Sequence, residues 1–457
     1  MSVADLSPHH VLYQTDFAPE EFASRRQRVL DTIGGDAVAV MQGMPESDGF
    51  DAFRQSNEFY YFCGLETSHS YMLMDGRSHK TTLYLPGFDE GRTRSEGPCL
   101  HSDDPEKVKA LTGADDVKKL EALAEDLDRP SEIYMLHLPP EGKMQCRDTL
   151  RHARKLAEAD PWYDHPLPEQ RFVERMAALC PDAEIKDLNP LSDEMRMIKS
   201  PKEIEVMRRA GLLTGLAVKE AMKCTGPGVM EYELNAVADY IFLANGARGA
   251  GYRGIIGGGT NAWHGHYFRN DCVLNDGDLL LMDYAPDCGC YTSDIGRMWP
   301  VNGKYTDEQR ELYGYIVEYH KVLLKLIRPH VTAAEIMDEA VDEMRPVFEG
   351  WNWSKPQYRS GAEKGFEFRG HLSHPVGMAV HDIGNYRENP LQPGLVISID
   401  PMFWIPEEKL YIRCEDTIVI TEDGIENFTD AAPLELDEVA QVMNEEGLLQ
   451  RYPPVSS

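Results

Sequence analysis

Basic residues are scarce in this chain. Against 77 Asp and Glu it sets 46 Lys and Arg, for a formal charge of -31. Nucleic acids and anionic membrane surfaces are both met by clustered Lys and Arg, so no nucleic acid and no membrane is expected as a partner. Long apolar runs are missing too, and His9, His10, Asp16, Glu20 and Glu21 stand early, where a leader would be apolar. The expectation is a cytoplasmic protein. Cysteines number nine, an odd count without regular spacing, which argues against a disulfide framework. Cys288 and Cys290 are read as small turn residues rather than as a redox or metal pair. At 457 residues, two domains are the natural expectation.

What the chain does have is a set of carboxylates at the ends of apolar runs. Asp283 closes Leu279-Leu280-Leu281-Met282, and an unpaired carboxylate at the end of a buried strand is costly, so a cation belongs beside it. Asp294 follows in Tyr291-Thr292-Ser293-Asp294-Ile295-Gly296-Arg297, with Asp287, Gly289 and the two cysteines as turn material for a hairpin. Further on, His374 stands in Gly370-His371-Leu372-Ser373-His374-Pro375-Val376-Gly377, Asp400 ends Leu395-Val396-Ile397-Ser398-Ile399, and Glu415 sits in Tyr411-Ile412-Arg413-Cys414-Glu415-Asp416. Most acids of so acidic a chain are solvated, and one such pair proves little. Three separate apolar runs ending in an acid favour a metal site. Four carboxylates and one imidazole make a hard, oxygen-rich set, suited to manganese, cobalt or iron better than to thiolate-type zinc. Two ions sharing carboxylates would hold a hydroxide that is nucleophilic at neutral pH.

From about residue 190 to 430 these motifs resemble the pita-bread metallopeptidases, and among them most closely the Xaa-Pro aminopeptidase (aminopeptidase P) and prolidase family. The resembling stretches are Glu194 to Ile204, Gly277 to Arg297, Ser373 to Asp382 and Arg413 to Asp416. Phe53 to Tyr61 resembles part of the same family's N-terminal domain. The resemblance implies an α/β (α+β) chain in which a creatinase-like N-terminal α/β domain, residues 1–190, serves substrate access and oligomerisation. It also implies a pita-bread catalytic domain with a pseudo-twofold repeat over residues 191–457. It makes Asp283, Asp294, His374, Asp400 and Glu415 the ligands of two divalent metal ions, manganese first, with cobalt, iron or zinc as alternatives. His266 and His381 become substrate-binding histidines, with Asp382 a candidate to orient His381, and Arg413 lies beside the site. The implied reaction is hydrolysis of the N-terminal Xaa-Pro peptide bond through a dinuclear metal-bound hydroxide. The partner would be a peptide with proline second, and the assembly a homodimer or homotetramer.

The chain departs from the family pattern in two places. Asp400-Pro401-Met402 stands for Glu-Pro-Gly, and that glutamate is both ligand and proton shuttle, so Asp400 inherits both roles. Tyr284-Ala285 follows Asp283 where many relatives have Ala-Gly. The alternatives are an Xaa-Pro dipeptidase, for which Arg387 is a candidate carboxylate grip although a solvated loop arginine is the plainer reading, and a pita-bread hydrolase or lyase acting on a non-peptide small molecule. A non-catalytic pita-bread binding module is disfavoured by retention of all five ligand types.

Local signals set the elements. Pro19 to Ile33 is helical, and Ala37 to Met41, Glu58 to Cys63, Tyr71 to Met74 and Thr81 to Leu85 read as strands, with a turn at Asp75 to Ser78. Asp104 to Leu127 and Glu169 to Leu179 read as helices, with the short run Ile133 to Leu138 between them. The domain boundary falls near Pro190. Ser200-Pro201-Lys202-Glu203 is a capping box opening a helix whose inner face is Ile204, Met207, Ala210, Leu213 and Ala217. A second helix runs to about Gly246, strands carry Asp283 and Asp294, helices open near Thr306 and Thr332, and strands carry His374, Asp400 and Glu415. Helices followed by strands thus occur twice, placing the site where two similar halves face each other.

Overall fold

The computed structural model describes residues 12–47, 49–163 and 167–455, which leaves His9 and His10 outside. Two units divide the chain, Met1–Met195 and Arg196–Ser457. Among the described residues no helix is long and apolar enough to cross a membrane. None of the nine cysteines is in a disulfide.

The first unit is built on a mixed six-stranded sheet. Its order is Asp116–Lys119, Lys80–Leu85, Tyr71–Asp75, Ala37–Gln42, Glu132–Met135 and Glu184–Asp187. Val38, Val40, Leu73, Tyr84, Ile133 and Met135 pack together in its core. Helix Pro19–Ile33 starts on proline with Glu20 and Glu21 in its first turn, as the missing N–H and the helix dipole favour, and buries Phe22, Val29, Leu30 and Ile33.

Two expectations in this unit fail. Glu58 to Cys63 is not a strand but part of helix Asn57–Cys63, capped by the Ser56 hydroxyl accepting from the Phe59 N–H and closed by Gly64 at φ 62°. All seven of its residues are buried, so no polar stripe marks a helical period. Asp104 to Leu127 is not one helix. Pro105–Thr112 stops at Gly113, φ 66°, and Asp116–Lys119 then pairs in parallel with Lys80–Leu85. The run beginning at Ile133 lies in strand Glu132–Met135, and helix Arg147–Ala159 was not foreseen.

The second unit follows the doubled order. Helix Pro201–Cys224 opens on the expected box, with the Ser200 N–H donating to Glu203 Oε2 at 2.9 Å and the Glu203 N–H to Ser200 Oγ at 3.2 Å. Met207, Ala210, Leu213 and Ala217 are buried and Ile204 is half-buried. Helix Glu231–Ala244 and strands Ile255–Gly258, Leu279–Asp283 and Ile295–Pro300 complete the first half. Thr306 and Thr332 cap helices Asp307–Leu326 and Ala333–Gly350. An unforeseen helix, Pro356–Phe366, precedes strands Val396–Ile399, Met402–Ile405, Leu410–Arg413 and Glu415–Ile420.

The halves meet in one antiparallel sheet, ordered 396–399, 415–420, 295–300, 279–283, 255–258. Its seam is the pairing of Glu415 with Gly296 and of Asp416 with Ile295. His374 is not in a strand. Its irregular segment is laid along the sheet edge by the Ser398 N–H donating to His374 O at 2.9 Å and the Val376 N–H to Val396 O at 3.1 Å.

Candidate active site

The seam gathers the five candidate ligands. Asp283 ends its strand, Asp294 stands one residue before strand Ile295–Pro300, and Glu415 opens strand Glu415–Ile420. One ligand atom each from Asp294, His374 and Glu415 lie within 4.8 Å of one another. Asp283 and Asp400 join them through Arg413, whose Nη1 is 3.1 Å from Asp283 Oδ2 and whose Nε is 3.3 Å from Asp400 Oδ1. The same guanidinium pairs through Nη2 with Glu415 Oε2. Asp283, Asp294, Arg413 and Glu415 are all buried.

So many carboxylates in one buried place perturb one another. Burial and the neighbouring Asp294 charge push the Asp283 carboxyl up to about 7. Burial raises Asp400 as well. Burial also works upward on Asp294, but the hydrogen bond and charge of His374, with Arg413 beyond, hold it below the usual carboxylate range. His374 is correspondingly raised by Asp294, against the pull of burial, with Nε2 at 3.3 Å from Asp294 Oδ2.

The residues fit divalent ions. Asp400 Oδ1 and Glu415 Oε2 are buried acceptors that accept no aligned hydrogen bond and face only the Arg413 guanidinium, one positive charge among several carboxylates, so divalent ions suit the charge that is left. His374 Nδ1 lies 3.0 Å from the Pro375 carbonyl. A proton on that nitrogen would leave Nε2 as the atom able to take an ion, the arrangement usual for a metal-bound histidine. Gly296 keeps the space open, since a Cβ there would stand 2.9 Å from Arg413 Nε and 3.1 Å from Glu415 Oε2.

His381 lies over His374, with ring centroids 4.2 Å apart, and His266 stands 5.7 Å from His381. His266 is exposed and His381 half-buried, so this pair forms the open side of the cluster. Asp382 points its carboxylate at Arg196 Nη2, 2.8 Å, and Lys199 Nζ, 3.1 Å, all three side chains being 1% exposed. Burial alone would raise Asp382, but the Lys199 and Arg196 charges outweigh it and hold it low. The stability this triad gives is therefore present above the unfolded carboxylate pKa of about 4 and lost as pH falls through the lower folded value. Asp382→Asn leaves two buried cations facing a neutral amide. We expect it to destabilise the protein by about 3–5 kcal/mol in urea unfolding at pH 7, and an unchanged midpoint would refute the triad's role.

Sequence reasoning missed three residues here. The Tyr252 hydroxyl reaches Asp283 Oδ1 at 2.6 Å and Asp294 Oδ1 at 3.0 Å. Ser398 donates to Glu415 Oε1, and the Asp294 N–H donates to Thr417 Oγ1 at 2.7 Å. Only Tyr252 left a trace, a tyrosine bracketed by Gly251 and Gly254. Arg387 is exposed. Cys290 occupies a left-handed turn position, φ 69°.

Comparison with known proteins agrees with this arrangement. Residues 205–422 match the model of metallopeptidase family M24, and residues 22–134 that of the aminopeptidase P N-terminal domain. The chain is 32% identical to an Xaa-Pro aminopeptidase of Escherichia coli (strain K12), over 94% of this chain and 98% of that protein. It is 30% identical to Xaa-Pro aminopeptidase 3 of Rattus norvegicus, over 92% of this chain and 85% of that one. The structure of E. coli aminopeptidase P with the inhibitor Pro-Leu superposes with a TM-score of 0.75 at 28% identity, covering 94% of this chain and 99% of that chain. A zinc-substituted form of the same enzyme in complex with product gives 0.75 at 29%.

Proposed function

Because the chain belongs to metallopeptidase family M24 and is a metal-dependent aminopeptidase of its Xaa-Pro group, we propose that it removes the residue preceding proline from peptide N-termini. The observation that carries this reading is the convergence of Asp294, His374 and Glu415 within 4.8 Å, with Asp283 and Asp400 tied to the same Arg413. Asp283, Asp294, His374, Asp400 and Glu415 would hold two divalent ions, manganese by preference for the hard oxygen set. When bound, these supply Lewis-acid activation of a water and of the scissile carbonyl.

The protein's own side chains do the rest. Tyr252 and Arg413 fix the carboxylates in position, so little reorganisation accompanies the reaction. Asp400, whose Oδ1 faces Arg413 Nε at 3.3 Å, takes up the proton of the attacking water and passes it to the departing proline nitrogen. His381 and His266 orient the peptide and donate toward the oxyanion that develops at its carbonyl. The N-terminal unit is assigned to substrate access and to assembly as a homodimer or homotetramer, which light scattering would measure.

The test is mass spectrometry of an Xaa-Pro-Yaa tripeptide and an Xaa-Pro dipeptide incubated with protein and manganese, with a chelator control. Release of the first residue from the tripeptide is expected, abolished by chelator. Cleavage of the dipeptide alone would make the protein a dipeptidase, and no cleavage of either would refute the peptidase reading. Asp400→Glu restores the longer carboxylate that family members carry. Its kcat/KM is expected at or above wild type, and a complete loss would count against Asp400 as ligand and proton carrier.

A further inference from the structure

A second group of potential ligands, Glu231, Asp271 and Cys272, also brings its ligand atoms within 4.8 Å. Glu231 is fully buried, but its carboxylate is already filled. Oε1 accepts from the Gly258 N–H at 3.0 Å and Asn261 Nδ2 at 2.9 Å. Oε2 accepts from the Tyr267 hydroxyl at 2.9 Å and the Cys272 N–H at 3.0 Å. Four donors occupy the four lone-pair sites of a carboxylate, so the group is a clasp and not an ion site.

What it clasps is the loop of the substrate-facing histidine. Gly258 and Asn261 lie before His264 and His266, and Tyr267 and Cys272 lie after them. The Glu231 N–H also donates to Cys272 O at 3.0 Å, anchoring the loop's return to the first turn of helix Glu231–Ala244. Between these ties, His264 and His266 are exposed. The His266 ring stacks on Phe268 with centroids 5.9 Å apart and stands 5.7 Å from His381.

We propose that Glu231 is a positioning residue, closing both ends of the 258–272 loop so that His266 is set against the substrate beside His381. This rests on the peptidase reading above, in which His266 orients the peptide. A carboxylate is required because a glutamine of the same length offers one acceptor oxygen and turns its NH2 toward two other donors, leaving them unpaired in a buried place. The loop then loosens at one end.

The experiment is a double-mutant cycle on tripeptide cleavage with manganese: wild type, E231Q, H266A and the double variant, with metal content measured for each. Expected is a fall of about 10- to 100-fold in kcat/KM for E231Q, carried mainly by kcat, as misplacement of a distant contact gives. No further fall is expected when His266 is already alanine. Equal factors in both backgrounds would overturn the proposal, because a merely structural role costs the same with or without His266. If E231Q does not fold, Tyr267→Phe removes one donor while keeping the ring and undergoes the same cycle. Absence of cleavage by the wild type would overturn the peptidase reading and this inference together, whereas cleavage with equal factors overturns the inference alone.

Discussion

Asp294→Ala is expected to lower kcat/KM on the tripeptide by about a thousandfold or more, beyond the ten- to hundredfold that loss of a ligand's outer partner costs, and to lower the manganese bound per chain. Asp294 meets several other members of the cluster. It meets His374 Nε2 at 3.3 Å and Tyr252 at 3.0 Å, and it shares the closest ligand group with Glu415. Its backbone is fixed as well, with its N–H on Thr417 Oγ1 at 2.7 Å and that hydroxyl returned to Asp294 O at 2.8 Å. Truncation therefore removes the proposed ligand without moving the chain that presents it. Elemental analysis beside kinetics checks this, and a variant with full metal content and activity within tenfold of wild type would remove Asp294 from the ligand set.

Arg413→Met, stripped of metal, is expected to unfold about 10 °C below the metal-free wild type. The guanidinium sits among Asp283, Asp400 and Glu415 with its side chain 7% exposed, and its own pKa is driven up by Asp400, Tyr411 and Asp283 against the opposing effect of burial. Taking one partner from a buried ion cluster costs about 3–5 kcal/mol, and each kcal/mol moves the midpoint of a unit this large by about 2–4 °C. Because divalent ions supply the charge that methionine lacks, saturating manganese should restore much of the loss, about 2.7 kcal/mol at a hundredfold excess over Kd. Calorimetry of apo and manganese-loaded protein checks it. Equal apo midpoints, or no recovery with manganese, would refute Arg413 as the counter-charge of the empty cluster.

The residues legible in advance were those whose signal is local. An acid closing an apolar run, as at Asp283 and Asp400, announces itself because burial of an unpaired charge is costly. The box at Ser200 gave a helix start, since the pairing of cap and third residue is written within four positions. Asn57–Cys63 was misread because all of it is buried, which erases the contrast that distinguishes a helical period from an alternating one. The strand Asp116–Lys119 was lost for a different reason. It exists through a parallel partner far back in the chain, Lys80–Leu85, and no local feature encodes such a pairing. Ser398 and Gly296 belong to the same class, because each matters only through contacts that the folded sheet creates.

The pairing of Glu415 with Gly296 has a bearing on the protein's lifetime in a cell. The proposed ligands come from both sides of that seam, so bound metal would act as a removable rivet across two stretches of chain that the sheet already pairs. Riveting two distant stretches restricts the open ensemble far more than the native one. Partial opening, which is what a protease needs, is then suppressed in proportion to metal saturation. An enzyme built in this way would have its resistance to proteolysis as well as its activity tied to the supply of its ion.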